Sequence, residues 1–442
     1  MKSHNHTHTL AFLLAASAVA GATSLAAQDA DSPAALREQI QQLDAQVQQL
    51  KILERNLELK SEAIEGAAKK LPAVSIDSKG FNVVGTDKAY SLKIGLLLQT
   101  DGRFFLDNGT ETAAHRDTFL LRRVRLPISG TFAKIFSYNL TPEFAQTDTA
   151  GNNTQLVDAW IAATLSPEFS LKIGKFFGPV ALESPNPRHF SEATFTNQLA
   201  PNRDLGLEAA GALFSKTFNY RLGLYNGAAN NTWAESTNLA DGDFSVGGRL
   251  TFSPFANSDS QSVKGLAFSV GGSYGHEAGS SGRIRTNGQQ DLINPAAYTG
   301  DHARVAPALE WHVGPFSAIA EGLWEHWDRA GTANSVDNYG WRVNVGWVIT
   351  GEDSTRRGVT PSSPFSWENG TWGAWEIVAR VSGVEVDKEI RAKTNAFSYG
   401  VGINWYLTNN LQFRFDVEKT NFSRGITLKN ELTAFSRLQV NF

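Results

Sequence analysis

The residues of this 442-residue chain that could act chemically are charged side chains set in regular alternation with apolar ones. From 411 to 418, Arg414, Asp416 and Glu418 share one parity, and the other parity is apolar throughout. Guanidinium and ammonium groups that face water attract anions, and carboxylates on the same face oppose that attraction. Over the whole chain, the charged parity holds twelve basic and ten acidic positions: Lys93, Arg103, Arg123, Arg125, Lys172, Arg221, Arg249, Arg304, Arg342, Arg380, Arg414 and Arg437, and Asp101, Glu143, Asp158, Glu208, Glu310, Glu321, Glu325, Glu376, Asp416 and Glu418.

Two interpretations of these charges stay open. Most of them are expected to form cross-strand ion pairs that stiffen the wall, and selectivity for anions would then depend on a local cluster. Arg103, Arg123, Arg125 and Arg437 form such a cluster if the first, second and last strands become neighbours. Arg122 breaks the parity next to Arg123, which places it near a rim or after a bulge.

The segment 177–203 is the best candidate for a constriction, because it is long and four prolines stiffen it. Lys175 precedes the segment, Arg188 and His189 lie within it, and Arg203 ends it. Folded inward, these side chains would form an anion-attracting ring, whereas the alternative is an ordinary surface loop. The predicted pore-lining and anion-binding residues are therefore Arg103, Arg122, Arg123, Arg125, Lys172, Lys175, Arg188, Arg203, Arg221, Arg249 and Arg437.

The elements that position these residues are a long series of alternating strands. The last one, 431–442, is apolar on one face and ends on Phe442, as outer-membrane strands usually do. Loops after even strands are mostly short and those after odd strands mostly long, which is typical of transmembrane barrels. A soluble β-sandwich would need far fewer strands per domain. We predict an all-β, 16-stranded antiparallel barrel over 89–442, with strands at 90–106, 118–133, 135–147, 154–165, 169–176, 204–215, 217–228, 242–253, 263–276, 303–312, 315–327, 336–350, 372–384, 396–407, 410–421 and 431–442.

The region before the barrel is of a different kind. Residues 1–27 have the basic start, short apolar run and small residues of a secretory signal peptide. Apolar residues recur at heptad spacing over 33–65, which predicts a short periplasmic α-helical coiled coil. A single amphipathic helix packed on the body is the alternative. Residues 66–88 are predicted to be a linker, with a short strand at 81–84.

Composition excludes several classes of function. The net charge of −4 argues against a nucleic-acid partner. The absence of cysteine excludes disulfides and thiolate metal sites, and no apolar run is long enough for a transmembrane helix. Nine histidines without a nucleophile elbow do not indicate an enzyme, and no cofactor is predicted.

The chain resembles the phosphate-selective porins O and P. The matching stretches are 122–132 (RRVRLPISGTF), Asp158 with 170–183 (SLKIGKFFGPVALE), 201–211 (PNRDLGLEAAG), 348–354 (VITGEDS) with 373–381 (GAWEIVARV), and 402–422. The resemblance implies a homotrimeric outer-membrane channel, in contact with lipid, that conducts phosphate or other small anions past a ladder of arginines and a cluster of lysines. Arg122, Arg123 and Arg125 match the family's arginine-rich second strand, and Lys175 matches the strand before its inward loop.

Two functions are compatible with these observations. The first is passive diffusion of anions, phosphate or oligophosphate, through a water-filled barrel. The second is a general, weakly selective porin for small hydrophilic solutes, which the near balance of basic and acidic positions favours.

Overall fold

The computed structural model describes residues 33–68, 71–107, 117–145, 154–227, 242–280, 284–288, 291–293, 298–329, 335–387, 394–423 and 430–442. The predicted signal peptide, 1–27, lies outside the described residues. The chain divides into two compact units after Leu71. No described helix is both long enough and apolar enough to cross a membrane.

In the first unit, the described residues form one helix, α1 (Pro33–Ala68). Strong helix formers, chiefly Gln, Glu, Leu, Ala and Lys, fill it without interruption, and its first glycine, Gly66, comes in the last turn. The seven apolar side chains at heptad spacing are between 41% and 69% exposed: Leu36, Ile40, Leu43, Val47, Leu50, Leu57 and Ile64. The helix is therefore as predicted, and its apolar seam is open to solvent in the single chain. Its assembly into a coiled coil stays a prediction.

The second unit is built almost entirely from strands. In chain order they are β1 (Ala73–Asp77), β2 (Gly80–Val84), β3 (Ser91–Ile94), β4 (Leu97–Phe105), β5 (Thr118–Arg125), β6 (Ile128–Phe132), β7 (Phe136–Glu143), β8 (Gln155–Ser166), β9 (Phe169–Phe177), β10 (Arg203–Leu213), β11 (Phe218–Tyr225), β12 (Ser245–Phe252), β13 (Leu266–Ser280), β14 (Ile284–Arg285), β15 (Asp291–Ile293), β16 (Tyr298–Val313), β17 (Phe316–Arg329), β18 (Val336–Val348), β19 (Ala374–Val386), β20 (Thr394–Tyr406), β21 (Leu411–Phe422) and β22 (Glu431–Asn441). Two short helices lie between strands, α2 (Phe195–Leu199) and α3 (Gln261–Lys264).

The sheet closes on itself because β22 pairs with β4 in an antiparallel register that sets Arg437 opposite Asp101. The first predicted strand is broken into β3 and β4, and the second into β5 and β6. Pro127 has no N–H to donate at the second break. At the first break a Cβ on Gly95 would lie 2.3 Å from the carbonyl oxygen of Phe442. Counting each broken pair as one strand confirms the sixteen-stranded antiparallel barrel.

The predicted linker, 66–88, contains a hairpin. β1 pairs with β2, and β2 pairs with β3 at the place that β22 leaves free when it ends. Asn410 donates to the carbonyl oxygens of Ser78 and Asn441, at 2.6 Å and 2.7 Å, which ties the hairpin to the end of the barrel. The short strand expected at 81–84 is present as part of β2, while β1 and the small β14–β15 hairpin carried no signal that we recognised in the sequence.

The side chains of the wall alternate in exposure as the sequence pattern predicts. Along β18, Trp341, Val343 and Val345 are exposed on the outer face, and Arg342 and Asn344 are buried on the inner face. A charged side chain facing hydrocarbon at the bilayer midplane costs about 2–4 kcal/mol, so charges collect on the inside. The outer face of the barrel is thus apolar and the interior is polar.

Residues 178–202, between β9 and β10, fold into the barrel and are here called the inward loop. Phe190, Phe195 and Leu199 of this loop are buried. Its apolar side chains join those of β14–β15 and of the wall in one small core: Val180, Ala181, Phe195, Leu199, Ala200, Ile284, Leu292, Ile293, Ala306, Leu323, Val384, Val386 and Ala396. The expected inward folding of 177–203 is what the structure shows, and it fills part of the lumen with packed protein.

The connection 349–373 is longer than the other connections at its end of the barrel, and it also approaches the interior. Ser354 donates its N–H to Gly314 at 2.7 Å, and its hydroxyl accepts from Arg188 of the inward loop at 2.7 Å. Val359 packs with Val348 and Tyr406 at the end of the wall. We refer to this end of the barrel, which has the short turns and the end of β22, as the short-turn end.

Candidate functional site

Arginines of the barrel wall hold the inward loop by donating hydrogen bonds to its backbone carbonyls. Arg123 donates to Pro185 at 2.7 Å, Arg414 to Pro187 at 2.7 Å, and Arg304 to Leu199 at 3.1 Å. Three more wall arginines do the same, Arg249 to Pro179 and Val180, Arg380 to Glu192, and Arg437 to Ser191. A buried carbonyl without a donor would cost about 1–3 kcal/mol, so these arginines stabilise the loop. Three of the predicted anion-binding residues, Arg123, Arg249 and Arg437, are therefore buried supports of the constriction.

Carboxylates of the wall bind the N–H groups of the same loop. Glu321 accepts from the backbone of Leu182 at 2.6 Å and of Glu183 at 3.1 Å. Asp416 accepts from the backbone N–H and the hydroxyl of Ser191, at 3.0 Å and 2.6 Å. Donors and acceptors of the loop backbone are thus both satisfied by side chains of the wall, which fixes the loop in one position.

Of the two alternatives for Arg122, a position near a rim or a bulge, the structure shows the bulge. The register of β4 against β5 passes from Gln99 opposite Arg123 to Thr100 opposite Leu121, which leaves Arg122 as the extra residue. A bulge re-aims a side chain, and Arg122 consequently joins Arg123 on the inner face. There it binds Glu192 of the inward loop at 2.7 Å and 3.1 Å.

Of the cluster predicted from strand closure, Arg103 and Arg437 meet at one carboxylate, whereas Arg125 pairs with Glu143. Arg437 makes a bidentate pair with Asp101, at 2.7 Å and 2.6 Å, and lies 3.3 Å from Glu192. Arg103 lies 3.5 Å from the same carboxylate. Burial alone would raise the pKa of Glu192, but the guanidinium groups of Arg122, Arg437 and Arg103 outweigh burial and hold that pKa well below its usual range. Glu192 is the centre of this cluster, and no pattern in the sequence distinguishes it from other acidic residues.

The inward loop contacts β4, β5 and the strands from β12 to β22. We call the strands β7–β11, together with the side chain of Arg125 on β5, the open wall. Four ion pairs lie on it. Arg125 binds Glu143 at 2.6 Å, and Arg203 binds Asp158 at 3.1 Å. Glu208 is shared by two cations: Lys172 at 2.9 Å and Arg221 at 2.8 Å.

Except in the pair of Arg203 with Asp158, the cations of these pairs face water more than their partners do. Six basic side chains of the open wall and the Glu192 cluster keep between 11% and 36% of their surface exposed: Arg103, Arg122, Arg125, Lys172, Arg203 and Arg221. Of the carboxylates that pair with them, Glu192, Glu143 and Glu208 keep less than 10%, and Asp158 keeps 22%. The accessible charge of the lumen on this side is therefore mainly positive.

The opposite side of the interior hides its acidic groups. Nine carboxylates on the strands and loops of that side are between 0% and 5% exposed: Glu183, Glu277, Glu310, Glu321, Glu325, Glu376, Asp416, Glu418 and Glu431. Each is engaged with an arginine, a histidine, or N–H and hydroxyl groups, as in the pair of Arg380 with Glu418 at 2.5 Å. The near balance of charge in the sequence is thus divided by the fold into a covered acidic side and an open basic side.

The remaining predicted residues lie in different places. Lys175 is buried on β9. Arg188, a residue of the inward loop, lies at the short-turn end, where it binds Glu376 at 2.6 Å. His189, which we expected in an anion-attracting ring, is fully buried beside Ser317 at 3.0 Å, and burial first and Arg188 second lower its pKa well below the usual value. A neutral imidazole cannot attract anions, so His189 is a packing residue. Among the described residues, no group of three or more acidic or histidine side chains is arranged to hold a metal ion.

Comparison with known proteins gives consistent matches. The family profile described as Phosphate-selective porin O and P matches residues 93–442. Porin O of Pseudomonas aeruginosa is 23% identical over 370 residues, which cover 75% of this chain and 83% of that protein. Two solved structures are similar over 80% of this chain and 98% of their own: OmpT of Vibrio cholerae, with a TM-score of 0.55 at 10% identity, and the channel DcaP of Acinetobacter baumannii, with 0.51 at 9%. At such identities the structures show a shared barrel fold.

Proposed function

The chain belongs to the phosphate-selective porin O and P family of the bacterial outer membrane, whose members are channels and not enzymes, and from this we propose that it passes small anions, phosphate among them, by passive diffusion. The path lies between the inward loop and the open wall, where water and the basic side chains meet. The predicted porin identity and outer-membrane location are confirmed by the family match and the barrel fold.

The observation that supports anion selectivity is the unequal exposure of the paired charges. A permeating ion is influenced most by the charges that it can approach through water, because buried carboxylates are already bound to N–H donors. Arg221 is the most exposed of the wall cations, with 36% of its side chain open, and its partner Glu208 keeps 1%. An anion therefore meets guanidinium and ammonium groups at short range and carboxylates at longer range.

A weakly selective porin is the second candidate. It is favoured because each ion pair of the open wall holds a carboxylate within salt-bridge distance of the cation, and this negative charge offsets part of the attraction for anions. The reversal potential of the channel in a planar bilayer under a potassium chloride gradient separates the two. A reversal potential with the same sign as the equilibrium potential of chloride supports the anion channel. A reversal potential near zero supports the weakly selective porin.

We further propose that the chain assembles as a homotrimer and that three copies of α1 join in a periplasmic coiled coil. OmpT of Vibrio cholerae, similar in fold with a TM-score of 0.54 and 11% identity, is described in a trimer form. Seven apolar side chains exposed along one seam of α1 would be buried by such an assembly. Replacing Leu43 and Leu50 by Asp should dissociate the helices. Light scattering of isolated α1 should then report a lower mass for the variant than for the wild type. Equal masses for the two peptides would contradict the proposed coiled coil.

A further inference from the structure

The connection between β18 and β19 divides into two halves that lie on opposite sides of the barrel wall. The first half turns inward, where the hydroxyl of Ser354 accepts from Arg188 of the inward loop at 2.7 Å. The second half turns outward. There Phe365 donates its N–H to the carbonyl of Leu407 at 2.7 Å, and its ring packs edge-on against Trp405 with ring centres 5.8 Å apart.

The ring of Phe365 rests on an aromatic stack of the outer face. Trp375 and Trp405 lie opposite each other on β19 and β20, with ring centres 4.9 Å apart. Trp405 has the parity of Ile403, which is 45% exposed on the apolar outer face of the barrel. Residues 361–373, here called the outer hairpin, therefore pack on the outer face and continue the surface that faces lipid.

The outer hairpin holds tryptophans on a closed turn. Ser366 and Thr371 exchange two backbone hydrogen bonds of 3.1 Å each, and the Ser366 hydroxyl accepts the N–H of Asn369 at 3.2 Å. Trp367 lies inside this turn and, at 82%, is the most exposed tryptophan of the residues that the structure describes. Trp372, directly after the turn, is 55% exposed. Two exposed indole rings on a fixed turn indicate contact with material outside the chain.

The wall shows the level of the membrane at which the outer hairpin lies. Along β18 the outward side chains from Tyr339 to Trp347 are between 39% and 49% exposed, with aromatic rings at both ends of the band. The band covers about 26 Å along the strand, or about 20 Å across the membrane at the usual tilt. Trp347 is paired with Ile377, so Trp375 lies one outward position nearer the short-turn end. The outer hairpin is therefore just beyond the apolar band, at the level of the lipid headgroups.

We propose that the outer hairpin is an anchor in the phospholipid headgroup layer of the periplasmic leaflet, with Trp367 and Trp372 inserted at the boundary between headgroups and acyl chains. The short turns of bacterial barrels face the periplasm. Tryptophan is enriched at membrane interfaces because its ring is apolar and its N–H binds water or a phosphate oxygen.

Polar side chains at the tip favour lipid over a second copy of the chain as the occupant. Glu368 and Asn369 are exposed beside the rings, and they suit a hydrated headgroup layer better than the dry core of a protein interface. Because the inner half of the same connection contacts the inward loop through Ser354, this connection joins the periplasmic leaflet to the constriction. The anchor depends on the membrane location of the barrel and not on its ion selectivity.

The anchor can be tested with a fluorescent label on a single introduced cysteine, because the chain contains none of its own. Glu368→Cys carries an environment-sensitive nitrobenzoxadiazole label at the tip of the outer hairpin in the full-length protein. The protein is placed in vesicles of phosphatidylethanolamine and phosphatidylglycerol, in which some lipids carry a nitroxide on the headgroup. These lipids should quench the label strongly. Replacing Trp367 by Gln in the same protein should remove most of this quenching, since the tip then loses its apolar contact with the membrane.

Arg357→Cys is the matched control, because Arg357 is an exposed residue of the inner half of the same connection and borders the interior beside Arg188. Its label should be quenched by iodide dissolved in water and not by the nitroxide lipid. A Glu368→Cys label that only iodide quenches would overturn the anchor. A label that neither quencher reaches would overturn it too, and would assign the outer hairpin to a contact between copies of the chain. Loss of the proposed anion selectivity is read from the reversal potential and leaves these outcomes unchanged.

Discussion

Arg221→Gln is the sharpest test of the open wall, because it removes the most exposed cation while the fold keeps its local support. Glu208, the partner of Arg221, would still be bound by Lys172 at 2.9 Å and by the hydroxyl of Tyr225 at 2.9 Å. The backbone of β11 keeps its ladder with β10 and β12. A change in ion selectivity would therefore report the lost charge and not a collapsed wall.

The size of the effect follows from Coulomb's law. A unit charge in water acts on an ion 5 Å away with about 0.8 kcal/mol, and on an ion 10 Å away, after screening at 0.1 M salt, with about 0.15 kcal/mol. Removing the charge weakens attraction of an anion and repulsion of a cation together, so the ratio of anion to cation permeability should fall between about twofold and about fifteenfold. The larger value applies if ions pass close to β11.

The assay is the reversal potential of single channels or of many channels in a planar bilayer under a salt gradient. Lys419→Gln is the control. Lys419 has the outward parity of β21 and pairs with Asp107 at 2.6 Å. This substitution therefore removes the same charge from the outer side of the barrel. Its reversal potential should equal that of the wild type. An Arg221→Gln channel with unchanged or increased anion selectivity would refute the argument that exposed cations of the open wall set the selectivity.

Two further outcomes follow from the contacts of the inward loop. Arg437→Leu leaves Asp101 buried without its bidentate cation and should lower the free energy of unfolding by about 3–5 kcal/mol. Denaturant titration measures this loss. A loss within experimental error of zero would contradict the structural role of Arg437. Because the pKa of Glu192 is depressed in the folded state, its contribution is present above the unfolded pKa of about 4.3 and is lost only when the pH falls through the lower folded value. Glu192 should therefore cause no change of conductance between about pH 7 and about pH 5, and a closing transition within this window that Glu192→Gln abolishes would oppose the assignment.

The parity of the charged residues was sufficient to predict the barrel. Strands such as β18 over 339–347 and β21 over 411–418 alternate regularly, since one side of a strand must meet lipid and the other must not. The same rule placed Arg125, Lys172 and Arg221 on the inner face and indicated the bulge at Arg122. The breaks after β3 and β5 were missed, because neither Gly95 nor Pro127 changes the hydrophobic pattern around it.

The roles of the inner residues were less predictable. Arg125 and Arg437 read alike in the sequence, each a basic residue on a polar face. In the structure, Arg125 faces the open lumen and Arg437 is buried against a loop more than two hundred residues away. The acceptors of Arg437 include a backbone carbonyl, which no side-chain pattern records.

The sequence by itself determined that this chain forms a membrane barrel with a polar interior, because the transfer of charge into lipid is costly at every position along a strand and acts locally. It also determined how many basic and acidic side chains the interior contains. Only the tertiary structure decided which of them an ion can reach. The inward loop folds over one side of the wall, binds its carboxylates and arginines, and leaves the cations of the other side facing water, and such contacts between distant segments depend on the closed barrel as a whole.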